Sequence, residues 1–95
     1  MLFNYYKIIN LTNNKTYIGI TEKTCEERWK QHISLLDKNK HSNWLLQEDW
    51  NKFGKENFQF IKIDTFEGEL EEGYSHEYEL IYSFVGEKYN LAPGG

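Results

Sequence analysis

Apolar and polar residues alternate with a period of two from Leu2 to Ile8 and again from Thr16 to Ile20, as in strands with buried faces. Asn13-Asn14-Lys15 lies between them, and this Asn-rich stretch reads as the turn joining the two strands. The period then lengthens. Thr24-Cys25-Glu26-Glu27 matches a capping box. It opens a helix from about Cys25 to Lys38, whose apolar stripe is Cys25, Trp29, Ile33 and Leu36. Asn39, His41 and Ser42 break that stripe. Ser42 or Asn43 then caps a second helix carrying Leu46, Trp50 and Phe53, with Gly54 expected as a left-handed C-terminal cap. Alternation returns from Asn57 to Phe66 through Phe58, Phe60 and either Ile61 or Ile63, a third strand. A third helix is expected from about Glu69 to Phe84, with Leu70, Tyr74, Tyr78 and Ile81 as its apolar face. The tail from Tyr89 to Gly95 is too short and too rich in Pro and Gly for another long element.

The order is therefore β-β-α-α-β-α. It predicts an α+β fold in which a small three-stranded antiparallel sheet is flanked by helices. No repeat, low-complexity tract or linker divides the 95 residues, so residues 1–95 read as a single domain.

Composition narrows the class. An aromatic content of 17%, with three tryptophans, argues for a packed core rather than disorder. No apolar run approaches the roughly 18 residues of a membrane span, and the N-terminus lacks the features of a secretory leader. Cys25 is the lone cysteine, which excludes an internal disulfide and a cysteine-based zinc site and fits a reducing cytoplasm. The net charge of −4 opposes broad non-specific binding to nucleic acid. The charge is uneven, however. Residues 1–62 sum to +3 and residues 63–95 to −7, so a locally basic face could meet a phosphate backbone while the acidic end points away.

Several residues could carry chemistry. The hairpin brings Tyr6 and Tyr17 close on one sheet face, where two phenols serve either packing or catalysis. Arg28 and His32, four apart, share a helix face. Arg28 is the single arginine against ten lysines, and a guanidinium can hold a phosphate through two parallel hydrogen bonds. On the third helix the 3.6 period turns Glu77 inward. A core-facing carboxylate needs a partner, which could be a tyrosine hydroxyl, a lysine or a divalent cation. Gly19 at a strand end permits close approach of backbone or ligand. Glycine-rich phosphate loops, paired-cysteine metal motifs and nucleophile turns are not found in the sequence.

Together these residues resemble the GIY-YIG nuclease family, in particular the catalytic domains of phage-type GIY-YIG homing endonucleases. Tyr17-Ile18-Gly19 is the second half of the family motif unaltered. Asn4-Tyr5-Tyr6 stands in the place of the first half and matches it at Tyr6. The similarity continues in order through Arg28, His32, His41, Phe53-Gly54, Glu77 and Tyr89-Asn90. It implies an endonuclease dependent on Mg²⁺ or Mn²⁺ that hydrolyses DNA to 5′-phosphate and 3′-hydroxyl ends. By the same resemblance Glu77 holds the metal and Arg28 offsets charge on the phosphorus. Tyr6 or Tyr17 orients the attacking water or takes its proton, with Tyr6 the preferred base and Tyr17 its support, aided by His32 or His41, while Gly19 and Asn90 support the site. Asn4-Tyr5 departs from the family's Gly-Ile, and Tyr5 is expected to point away from the site because its neighbour Tyr6 points in. The family commonly relies on an appended DNA-binding module. The alternatives are thus a catalytically silent domain that binds a protein partner, or the catalytic part of a longer nuclease.

Overall fold

The computed structural model describes residues 1–90; the expectation for the Pro93-Gly94-Gly95 tail lies outside them. Strands β1 (Leu2–Asn10), β2 (Thr16–Thr21) and β3 (Phe58–Glu67) form one antiparallel sheet in the order β2-β1-β3. Helices α1 (Cys25–Asp37) and α2 (Trp44–Phe53) lie between β2 and β3 in sequence, and α3 (Leu70–Ser83) follows β3. The hairpin turn forms where the asparagines predicted it. Asn14 takes a φ of 63°, and the amides of Asn13 and Asn14 both donate to the Asn10 carbonyl.

The sheet is covered on both faces. Tyr6, Ile8, Tyr17 and Phe58 pack with Cys25 and Leu36 of α1 and with Leu46 and Trp50 of α2. On the other face Phe3, Tyr5 and Ile20 form a smaller cluster with Phe66 and with Leu80 of α3. Tyr5 and Tyr6 are both fully buried, on opposite faces, as neighbours in a strand must be.

A β-bulge in β3 makes this two-sided core possible. Tyr6 pairs with Lys62 and Tyr5 with Asp64, leaving Ile63 as the extra residue. Phe58 and Phe60 therefore share the α1/α2 face with Asn10 and Ile8, whereas Asp64 and Phe66 share the α3 face with Tyr5 and Phe3. The strand changes faces at Ile63, so alternation alone left Ile61 and Ile63 undecided. A short 3-10 turn over Lys55–Asn57 precedes the strand, which the periodicity did not signal.

Thr24 caps α1 by accepting the Glu27 amide at 3.2 Å, and Asn43, rather than Ser42, caps α2 by accepting the Leu46 amide at 3.0 Å. Gly54 closes α2 with φ 89° but ψ 154°. It is a positive-φ cap, not the left-handed helical geometry expected, and is a conformation open essentially to Gly.

The apolar face expected for α3 is corrected. Leu70, Tyr74 and Tyr78 are exposed, and the helix turns Gly73, Glu77 and Ile81 inward. The cause is at Gly73. The Phe3 ring lies so close that a Cβ there would sit 2.5 Å from it, and the Tyr5 hydroxyl donates to the Gly73 carbonyl at 2.8 Å. Seating the helix on its smallest residue outweighs burying its tyrosines. One turn on, His76 Nε2 meets Asp64 Oδ2 at 2.6 Å, and this hydrogen bond holds the Asp64 carboxyl below its usual range. The reading of Glu77 as inward-facing stands, with different neighbours.

Candidate active site

The hairpin sets the first two groups. Tyr6 pairs with Gly19, and Tyr17 pairs with Ile8, so the two phenols are diagonal neighbours on the α1/α2 face. Gly19 is what lets Tyr6 lie flat across the strand, since a Cβ there would fall 2.4 Å from Tyr6 Cζ and Oη.

Helix α1 and the loop after it supply the histidines. Four residues beyond Arg28, His32 is fully buried. Its Nε2 is 2.6 Å from Tyr6 Oη, and its Nδ1 is 2.7 Å from His41 Nε2. The two imidazoles stack with centroids 5.0 Å apart, and the Tyr17 ring meets His32 edge-on at 5.4 Å. Burial, with Arg28 nearby, lowers His32 to about 3 and also lowers His41. Both are therefore neutral at pH 7. Burial pushes Tyr17 up to about 12 and Tyr6 further still. The Arg28 charge pulls both phenols down while the Glu77 charge raises them. Burial, rather than either charge, keeps both protonated in the resting site.

Glu77 is 1% exposed, and its field also reaches Tyr5. No group of three or more His, Cys, Asp or Glu side chains able to hold an ion occurs among the described residues. The available donor is one buried carboxylate whose charge reaches three phenols. It is hard and all-oxygen, yet too sparse to enclose a bare ion. That fits Mg²⁺, which binds through one or two carboxylates, several waters and a substrate phosphate.

The C-terminal residues buttress the sheet edge. Asn90 Oδ1 accepts the Ile18 amide at 2.9 Å and its Nδ2 donates to the Ile18 carbonyl at 2.8 Å. An amide side chain thus completes the β2 edge between Tyr17 and Gly19. Tyr89, fully buried, donates to Asp49 Oδ2 at 2.6 Å and accepts from Asn10 Nδ2 at 3.2 Å. Sequence reasoning gave Asn43 a cap alone and overlooked Gln47. Asn43 also donates to the Tyr89 carbonyl at 2.8 Å, and Gln47 Oε1 accepts the His41 amide at 3.0 Å. The position of Gln47, in helical register with Leu46 and Trp50 on an otherwise apolar face, was the available signal that it is buried, though not of its partners.

On one sheet face two phenols meet two neutral histidines, and the charges of Arg28 and Glu77 reach both phenols. The model of the GIY-YIG catalytic domain matches residues 3–90. Intron-associated endonuclease 1 of Enterobacteria phage T4 is 38% identical over 76 residues, covering 80% of this chain and 27% of that protein. The chain thus spans about a quarter of that relative's length. Among solved structures, a mutant of the catalytic domain of intron endonuclease I-TevI superposes with a TM-score of 0.88 at 31% identity, covering 100% of this chain and 98% of that one. The catalytic domain of homing endonuclease I-TevI gives 0.85 at 32%, covering 95% and 98%. The chain belongs to the GIY-YIG catalytic domain family, and its fold is that of a GIY-YIG endonuclease.

The buried histidines make a prediction for stability. His32 titrates at about 3 when folded against 6.5 when unfolded, so between those values the unfolded chain binds the extra proton. Stability therefore falls as pH drops from 6.5 towards 3. The slope approaches about 1.4 kcal/mol per pH unit for this residue, which is about 2 kcal/mol at pH 5 relative to neutrality. Urea unfolding at pH 7 and pH 5 tests this: the loss should shrink in His32→Gln, and an unchanged midpoint would show that His32 is not buried neutral.

Proposed function

We propose that this domain is a divalent-metal-dependent DNA endonuclease that hydrolyses a phosphodiester to leave 5′-phosphate and 3′-hydroxyl ends. The observation that carries the reading is the Tyr6–His32 contact of 2.6 Å between two fully buried side chains, where opposite charges from Arg28 and Glu77 act on both phenols. Family membership supports it, and so does the endonuclease named among the relatives.

Glu77 would hold the Mg²⁺ (or Mn²⁺), whose Lewis acidity polarises a phosphoryl oxygen and stabilises the leaving 3′-oxygen. Arg28 is half-exposed on α1 and lines an open groove with Lys30, Gln31, Ser34 and Leu35. A phosphate entering from that side meets the guanidinium first, and Arg28 offsets the charge that develops as the phosphorus becomes pentacovalent. Tyr6 orients the attacking water and takes its proton once its own has been released to solvent. Tyr17, edge-on to His32, supports that geometry. Asn90 and Gly19 keep β2 and the Tyr6 ring in register. DNA would approach away from the outer face of α3, where Glu71, Glu72 and Glu79 are exposed.

Supercoiled plasmid incubated with the protein and Mg²⁺ should be nicked, and EDTA should stop the reaction. The nicks should be resealed by DNA ligase directly, which requires 5′-phosphate and 3′-hydroxyl ends. Nicking that persists in EDTA would refute metal dependence, and nicks that ligase cannot close would refute the product chemistry. No nicking in any divalent ion would favour a binding domain.

A further inference from the structure

One backbone amide determines where every proton lies in the histidine pair. The Asn43 N–H points at His41 Nδ1 at 3.0 Å. A backbone amide can only donate, so His41 Nδ1 must offer a lone pair. A neutral imidazole then carries its proton on Nε2, and His41 donates to His32 Nδ1 across 2.7 Å. His32 Nδ1 is consequently an acceptor, its own proton is on Nε2, and it donates to Tyr6 Oη across 2.6 Å. Protonating either ring would turn two donors towards each other, either at Asn43 or between the rings. The chain of donors runs one way: Asn43 N–H, His41, His32, Tyr6.

From this we infer that the histidine pair is a fixed donor relay and not the base that deprotonates Tyr6, and that Gln47 is the positioning residue that holds it. Neither imidazole presents a lone pair to Tyr6, so the phenol proton is aimed away from His32. When that proton leaves for solvent, the oxygen left behind already receives a short hydrogen bond from His32 Nε2–H. The relay thus favours the phenolate without any histidine becoming charged.

Gln47 sets the relay's position. Its Oε1 accepts the His41 amide at 3.0 Å, while its Nε2 donates to the Leu36 carbonyl at 2.9 Å and to Asn51 Oδ1 at 3.0 Å. One side chain therefore ties the loop bearing His41 to the end of α1 and to α2. The surroundings add no titrating rival, since the charged group acting on both rings is Arg28, and a cation there also opposes their protonation.

The consequence for catalysis rests on the endonuclease reading, but the proton positions do not, so the test separates them. Nitrogen-15 NMR of the imidazoles, on the metal-free protein without DNA, should show His32 and His41 both protonated at Nε2 and bare at Nδ1. His76 on the other sheet face serves as the reference. Protonation of His32 at Nδ1, or a charged His32 at pH 7, would overturn the relay. In Gln47→Met both rings should exchange between tautomers, and single-turnover cleavage should slow about tenfold to a hundredfold with DNA affinity unchanged. A folded Gln47→Met with wild-type tautomers and rate would overturn the role of Gln47. Should that variant not fold, the wild-type spectrum still decides the relay. Correct tautomers in a protein that cleaves nothing would uphold the relay and defeat the nuclease reading.

Discussion

Glu77→Gln is expected to reduce Mg²⁺-dependent nicking by roughly a thousandfold, with the fold retained. Glutamine keeps the length and shape of a side chain that is 1% exposed, so packing against the sheet is preserved. What disappears is the negative charge. A carboxylate-held Lewis acid contributes several kcal/mol of transition-state stabilisation, and about 4 kcal/mol corresponds to that factor in rate. The same substitution has a second, independent readout. The Glu77 charge raises Tyr5, Tyr6 and Tyr17, so in the metal-free variant the buried Tyr5 and Tyr17, followed residue by residue by NMR, should ionise at lower pH. Nicking at the wild-type rate by Glu77→Gln, purified in parallel, would remove the metal from this position. A phenol titration identical to wild type would instead place the carboxylate too far away to act on any of these tyrosines. The two measurements fail separately, which keeps the chemistry distinct from the electrostatics.

The inward aspect of Glu77 could be read from helical period, yet the partners could not. Period-two alternation identified all three strands, because each has a buried face that fixes its pattern. It could not place the bulge, because Ile63 interrupts pairing with no change in hydrophobicity on either side. The stripe Leu70, Tyr74, Tyr78 misled for a related reason. Tyrosine is amphipathic and is stable at a surface, whereas Gly73 has no hydrophobic signature and nevertheless sets how α3 sits on Phe3. Diagonal contact between Tyr6 and Tyr17 followed from the hairpin, although their separate pairing with Gly19 and Ile8 depended on turn geometry. The histidine relay depends on Asn43 and Gln47, polar residues whose partners are a backbone amide and a loop. Such contacts have no period and so were illegible in the sequence.

Gly19→Ala should cost both activity and stability, against the ordinary sign of that substitution. Replacing glycine by alanine within a strand usually stabilises by about 0.4–1 kcal/mol, since the unfolded chain loses freedom. Here the added methyl would lie 2.4 Å from Tyr6 Cζ and Oη, well inside van der Waals contact. The phenol is the far end of a side chain and could in principle move. It is fully buried, however, and bonded to His32 at 2.6 Å. Displacing it leaves a buried imidazole N–H unpaired, at about 1–3 kcal/mol. Overpacking has a similar cost, and because both penalties act through one ring they do not simply add. Cleavage should fall about a hundredfold, the usual penalty for a misplacement near 1 Å. Tyr6→Phe provides the control, because it deletes the oxygen while leaving the strand untouched. If Gly19 acts only by allowing the Tyr6 oxygen its place, the double variant should be no slower than Tyr6→Phe alone. A double variant slower by the product of the two effects would show that Gly19 serves the site through something other than Tyr6, and an active, more stable Gly19→Ala would show that the ring has room to spare.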